Sequence, residues 1–156
     1  MKRIRLSFTA EKTSCVAILL QNPAPRTSAF IWELLQHPLE LEAVHAMFTG
    51  RELSVSVPYE GCENGLELPP ENQTMFPLPG DLIWNAYAAY EWQGLPHPVY
   101  DFGIFYGRES RIFLPAGWRP SNCFGTITEN LEAFAAVCAK CQREGVKRVR
   151  LERIFE

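Results

Sequence analysis

A chain of 156 residues, 47% hydrophobic and 21% charged, has the composition of a globular domain and not of a disordered segment. At this length one hydrophobic core suffices, so a single domain over residues 1–156 is expected. The net charge of −3 argues against nucleic acid as a partner, and no apolar run nears the ~18 residues of a membrane span.

The start, "MKRIRLSF", lacks the apolar core and cleavage site of a signal peptide, so a cytoplasmic location is expected. The odd number of cysteines, five at irregular spacings, suits a reducing compartment. "RIRLSF" alternates Ile4, Leu6 and Phe8 with polar residues, which predicts a strand with one buried face. "SCVAILL" follows after a charged turn at Glu11–Lys12 and predicts the partner strand of a hairpin, buried on both faces.

In "NPAPRTSAFIWELL", Asn22 is the expected helix cap, and the prolines fit a first turn whose N–H groups lack intrahelical acceptors. Thr27, Phe30, Ile31, Leu34 and Leu35 then recur at helical spacing. "LEAVHAMF", a turn at Thr49–Gly50 and "RELSVSVP" predict a second hairpin, with Leu53, Val55 and Val57 inward. Residues 59–80 form a long loop rich in Gly, Pro, Asn and Glu, of the kind that lines or covers a site. Short strands follow in "DLIWNAY", "VYDFGIFYG", "RIFL" and "CFGTI". Between the first two lies "YEWQGLPHPVY", whose Trp92 and His97 suit a lid or a contact in a homo-oligomer. A last helix over Glu129–Arg143, capped by Thr128 and stopped by Gly145, precedes the closing strand "VKRVRLERIF". Many short strands with one helix near each end predict a mainly β fold: an antiparallel barrel capped by two helices.

The order of these segments resembles the cyclophilins. "APRTSAFIWELL" is similar to the proline–basic–threonine segment that opens their first helix. "CFGTITENLEAF" is similar to the strand that ends in Phe–Gly before their second. A closer resemblance is to a bacterial family of unknown function with a cyclophilin-like fold, carried by "APRTSAFIWE", "PENQTMFPLPGDLIW", "FGIFYGR" and "SNCFGTITE". The resemblance implies a cyclophilin-like barrel over nearly the whole chain. It does not imply the isomerase site: those enzymes place an arginine directly after a Phe–His pair, whereas here His45 is followed by Ala46 and Arg51 lies six residues on.

The remaining candidates are polar or aromatic groups near strand ends and loops. Histidine is the side-chain type suited to acid–base work, so His45 suits a base or a donor, or a satisfied barrel-wall position. Glu71 and Asn72 follow two prolines that hold them still, for a pocket or for a turn. Trp84 is core or pocket wall. Tyr106 and Arg108 end a strand where a guanidinium can grip a carboxylate. Trp118, with Asn122 nearby, has the aromatic and amide character of small-molecule sites. There is no nucleophile elbow, phosphate loop or zinc motif, and "CAKC" sits within a helix, so neither cofactor nor metal is expected. The leading expectation is a barrel that binds a small molecule or short peptide in a rim pocket of His45, Arg51, Glu71, Asn72, Trp84, Tyr106, Arg108, Trp118 and Asn122. The alternatives are a prolyl isomerase with a rearranged arginine (Arg51 or Arg108) and an enzyme using His45 and Glu71 as acid and base.

Overall fold

The computed structural model describes residues 1–58 and 60–155; Tyr59, which opens the long loop, and the terminal Glu156 lie outside the described residues. The chain starts with a hairpin, β1 (Arg3–Phe8) and β2 (Thr13–Leu19), turned at Lys12 in the left-handed region with φ 52°. Helix α1 covers Pro25–Leu34. A second hairpin follows, β3 (Leu39–His45) and β4 (Glu52–Val57), then a short 3-10 turn at Glu63–Gly65 and the two-residue β5 (Gln73–Thr74). Next come β6 (Asp81–Tyr87), β7 (Val99–Phe105) and a small hairpin of β8 (Phe113–Leu114) and β9 (Gly117–Trp118). The chain ends with β10 (Ser121–Glu129), α2 (Leu131–Glu144) and β11 (Lys147–Ile154).

Eight of these strands close into an antiparallel barrel in the order β1-β11-β3-β4-β7-β6-β10-β2, with β2 returning to β1. Closure runs through β10 and β2, where Gly125 faces Leu19 and Ile127 faces Ala17. The fold is therefore the mainly β, two-helix barrel expected from the sequence. Its interior is filled by the residues whose alternation predicted it: Ile4, Leu6 and Phe8, Leu53, Val55 and Val57, with Phe102 and Phe124 in a T-shaped contact at 5.1 Å. In β2 only Cys15, Ala17 and Leu19 are fully buried. The expectation of two buried faces fails there because the outer face has no covering layer and Ser14, Val16 and Ile18 stay half-buried.

The helices seal opposite ends. Helix α2 lies at the Phe8 end, where Phe134 stacks on Phe8 at 4.7 Å and is itself fully buried. That burial contributes roughly 2–3 kcal/mol. Its cap is Asn130 in the left-handed region, not Thr128, because β10 continues to Glu129 to complete its pairing with β2. Gly145 ends it at φ 89°. Helix α1 lies at the other end, where Arg153, beside Ile4 in the sheet, donates to the Trp32 carbonyl at 2.6 Å.

The start of α1 differs from the expected Asn22 cap. The helix begins at Pro25 after Ala24, and no side chain from its own flank caps it. The carboxylate of Glu71 does so from the long loop, accepting the Arg26 N–H at 3.0 Å, the Thr27 N–H at 2.8 Å and the Thr27 hydroxyl at 2.8 Å. A negative charge also suits the positive end of the helix dipole. The prolines thus set the entry angle, while the charge that satisfies the helix start arrives from 45 residues away.

Candidate functional site

On strand β4 the residues that alternate with the core face are Glu52, Ser54 and Ser56; on β7 they are Val99, Asp101, Gly103 and Phe105. The register sets Ser54 opposite Gly103 and Ser56 opposite Asp101, so these side chains share the outer surface of the barrel wall. Asn85 and Tyr87 of β6 continue it, opposite Asp101 and Val99. This outer surface is roofed. Loop 46–51 overhangs one side, the 88–98 segment a second, and the β8–β9 hairpin a third.

The roof leaves a cleft of about 680 Å³ with Ser54, Ser56 and Asp101 on its floor. Val44, Met47 and Phe48 form one wall, and Tyr87 and Trp92, with ring centroids 4.7 Å apart, form another. Leu114, Pro115 and Ala116 complete it. Met47 and Phe48 are exposed at its mouth. The 88–98 segment is fastened by Arg119, whose guanidinium lies over the Tyr87 ring at 4.2 Å, pairs with Glu91 and donates to the Ala86 carbonyl at 2.8 Å.

One acid, Asp101, lies in this floor, and a second, Glu52, is buried on the same face of the sheet behind the lining. Asp101 is 9% exposed and accepts the Ser54 hydroxyl at 2.6 Å; Glu52, 3% exposed, is hydrogen-bonded by the Thr49 hydroxyl. Glu52 fits because position 103 is glycine: a Cβ there would stand 2.6 Å from Glu52 Oε1. Burial, and then the negative charge of Asp101, drives the Glu52 carboxyl well above the usual carboxylate range, against the opposing Thr49 hydrogen bond. Burial likewise pushes Asp101 up to about 6, against the Ser54 hydroxyl and the Val55 backbone. Burial and the Asp101 charge raise the Tyr87 phenol too. The carboxyl groups here are thus held toward their protonated forms, Asp101 up to about 6 and Glu52 well above the usual carboxylate range.

His45 lines the same cleft from the end of β3. The strand stops there, short of the expected Phe48, so Ala46 to Arg51 belong to the overhanging loop. His45 Nδ1 lies 2.9 Å from the Ala46 carbonyl, which only accepts. In the neutral ring Nδ1 therefore carries the hydrogen, and Nε2 accepts from the Tyr106 hydroxyl at 2.7 Å.

The other residues predicted for the site lie elsewhere. Glu71 holds the start of α1 and, through its own N–H, donates to Asn122 Oδ1 at 3.1 Å. Asn122 donates in turn to Thr27 Oγ1 at 3.0 Å and to the Pro69 carbonyl at 2.9 Å, while Asn72 donates to the Cys123 carbonyl at 2.9 Å. These three are thus brought together as a polar clasp between the long loop, β10 and α1. Trp84 is a core residue that donates to the Gly65 carbonyl at 2.9 Å and packs on Phe30 at 4.9 Å. Trp118 is exposed between Phe76 and Phe113. Arg51 packs along Gly107 and, with Tyr106, borders a separate shallow cleft of about 600 Å³ against α2. Arg108 is exposed on the loop after β7. Neither arginine lines the acidic cleft, and Glu71 does not meet His45 in it.

Glu52, Asp101, Tyr87 and Trp92 were not among the predicted site residues. Two signals in the sequence point to them. A single acid interrupts the apolar run "VYDFGIF", and Glu52 opens the non-core phase of "RELSVSV".

The fold and cleft define a class: a closed eight-stranded antiparallel barrel, capped by two helices, with an acidic cleft on its outer wall. The model of the family described as "Protein of unknown function (DUF3830)" matches residues 6–153, and the chain belongs to that family. No curated protein matches it. Among solved structures, one described as McbB in complex with tryptophan superposes with a TM-score of 0.68 at 17% identity, over 98% of this chain and 45% of that one. The chain thus spans less than half of McbB, and the likeness is one of fold.

Proposed function

We propose that this protein is a cyclophilin-like barrel that binds a small organic molecule, or the end of a short peptide, in the outer cleft above Asp101. The observation that carries the reading is the cleft itself. Its volume of about 680 Å³ lies within the roughly 300–1,000 Å³ of small-molecule sites. Its walls are apolar and aromatic, and its few polar groups converge on the floor, the usual division between affinity and orientation. McbB, seen with tryptophan, offers a precedent for a small aromatic amino acid on a protein of this fold. The order of hairpin, helix, strands, second helix and final strand supports the cyclophilin-like description.

A fragment screen followed by amide chemical-shift mapping tests the proposal, with L-tryptophan as one member. Hits are expected to perturb residues 44–49, 87–93 and 99–101, and Trp92→Ala is expected to abolish them. Hits clustered instead beside α2, or about the exposed Phe76–Trp118–Phe113 group, would refute it.

A further inference from the structure

We infer that the ligand of this cleft is an organic cation: an ammonium group on an apolar or aromatic body, received by Asp101 with Glu52 as a second carboxyl behind it. The inference rests on the cleft being the binding site and adds the charge and class of what it takes.

The first support is a missing counter-charge. Acidic side chains are almost never fully buried unless paired. The exposed or half-buried acids follow that habit: Glu129 pairs with Arg3, Glu11 with Lys147, and Glu91 with Arg119. Asp101 and Glu52, the most buried acids, have no cationic partner among the described residues. Asp101 also lines the cleft, so its carboxyl is open to a ligand.

The second support is what faces that carboxyl. From β4 come Ser54, Ser56 and Glu52; from β6 come Asn85 and Tyr87. Asn85 Oδ1 already accepts the Ser121 hydroxyl. The cation nearest Tyr87 is Arg119, already engaged by Glu91 and the Ala86 carbonyl. His45, across the cleft, is turned to Ala46 and Tyr106. Among the described residues, no lysine or arginine lines the cleft.

The third support is the wall. Tyr87 and Trp92 present rings beside the floor, and aromatic faces attract cations. An anion would meet two carboxyls. A neutral ligand would leave them without compensation. The raised proton affinity of Asp101 supplies a further signature: a bound ammonium favours the charged carboxylate, so binding expels a proton at a pH near 6, where the carboxyl is partly protonated.

The test is calorimetry of the whole chain at pH 6 with matched triplets on phenyl and indolyl bodies: 2-arylethylammonium, 2-arylethanol and 3-arylpropionate. Repeating the titration in two buffers of different ionisation enthalpy counts protons. The ammonium member is expected to bind on the order of 10–100-fold more tightly than the alcohol, the range of a hydrogen bond to a charged group, and to release protons. Asp101→Asn is expected to erase the difference while the alcohol still binds. An alcohol bound as tightly as the ammonium, or an ammonium preference that survives Asp101→Asn, would overturn the inference and leave the cleft reading standing. If no member of either triplet binds at millimolar concentrations, the inference and the cleft reading both fall.

Discussion

Asp101→Asn should stabilise the protein at neutral pH, and by an amount that depends on pH. The carboxyl is 9% exposed and sits beside Glu52 without a cation among the described residues, so ionisation is resisted and its pKa rises from 3.8 to about 6. In the unfolded chain the group ionises near its ordinary value. Between those two pH values the folded state holds more protons, so stability falls as pH rises. The contribution is fully present below about 4 and lost once the pH passes about 6. A displacement of roughly 2 pK units corresponds to about 3 kcal/mol at 1.36 kcal/mol per unit. Asparagine keeps an acceptor for the Ser54 hydroxyl at 2.6 Å and cannot ionise. Urea unfolding of both proteins at pH 4 and pH 7.5 gives the difference directly. The variant should gain about 3 kcal/mol relative to the parent between the two pH values, or roughly 6–12 °C in Tm at pH 7.5 for a chain of this size. Groups unchanged by the substitution, such as Glu91 and Glu71, cancel in the comparison. Stabilities that stay parallel across this range would mean that Asp101 is not held protonated, and the account of the cleft floor would fail.

Glu71→Ala removes three hydrogen bonds from the start of α1 and should lower stability by about 2 kcal/mol in urea unfolding at pH 7. Its carboxyl is held below the usual range, although slight burial opposes this, by the Thr27 and Arg26 donors; the loss should therefore shrink as the pH falls through that lowered value. Gly103→Ala would set a Cβ 2.6 Å from Glu52 Oε1, so the carboxyl or the strand must shift; we expect about 1–3 kcal/mol of destabilisation on urea titration. All five cysteines are buried, and burial pushes the thiols of Cys15 and Cys123 up to about 12 and that of Cys62 up to about 11. Ellman's reagent at pH 8 should accordingly leave the native protein unlabelled and react with all five in urea.

The barrel was legible because its strands carry their burial in the period of the chain. "RIRLSF" and "KRVRLER" place Leu6 and Leu151 inward and their charged neighbours outward, and the two are paired in the structure. The stop of α2 was legible for a similar reason, since Gly145 acts through its own backbone. The cap of α1 was not. Glu71 reaches Arg26 and Thr27 only after the long loop has folded back, and nothing local to "NPAPRTSAF" announces that partner. Polar residues in loops drew attention because function concentrates there. In Asn72 and Asn122 that polarity is engaged in holding the loop. The acid pair was hidden by register: residues 52 and 101 come onto one face of the sheet, either side of the Ser54–Gly103 pair, only when β4 lies antiparallel to β7.

The position of the cleft follows from the geometry of the barrel. Eight strands enclose a space that side chains just fill, and Phe102, Phe124 and Leu53 fill it here. A ligand must therefore sit on the outer wall or at an end, and both ends are closed by α1 and α2. On β1 and β11 the outward residues Arg3, Arg5, Arg148 and Arg150 are half-buried or exposed. Strand β7 is the most completely covered: six of its seven residues are buried, because loops cover its outer face as the core covers its inner one. Ile83, Phe105, Ile112 and Cys123 form a small second core under one part of that cover. Where that packing stops, Glu52 and Asp101 begin. Of the two, Asp101 is shielded from bulk water by the roof yet lines the cleft, which solvent-facing strand residues cannot achieve. The roof that makes these acids expensive to ionise is also what, under the proposal above, would favour a ligand that carries the missing charge.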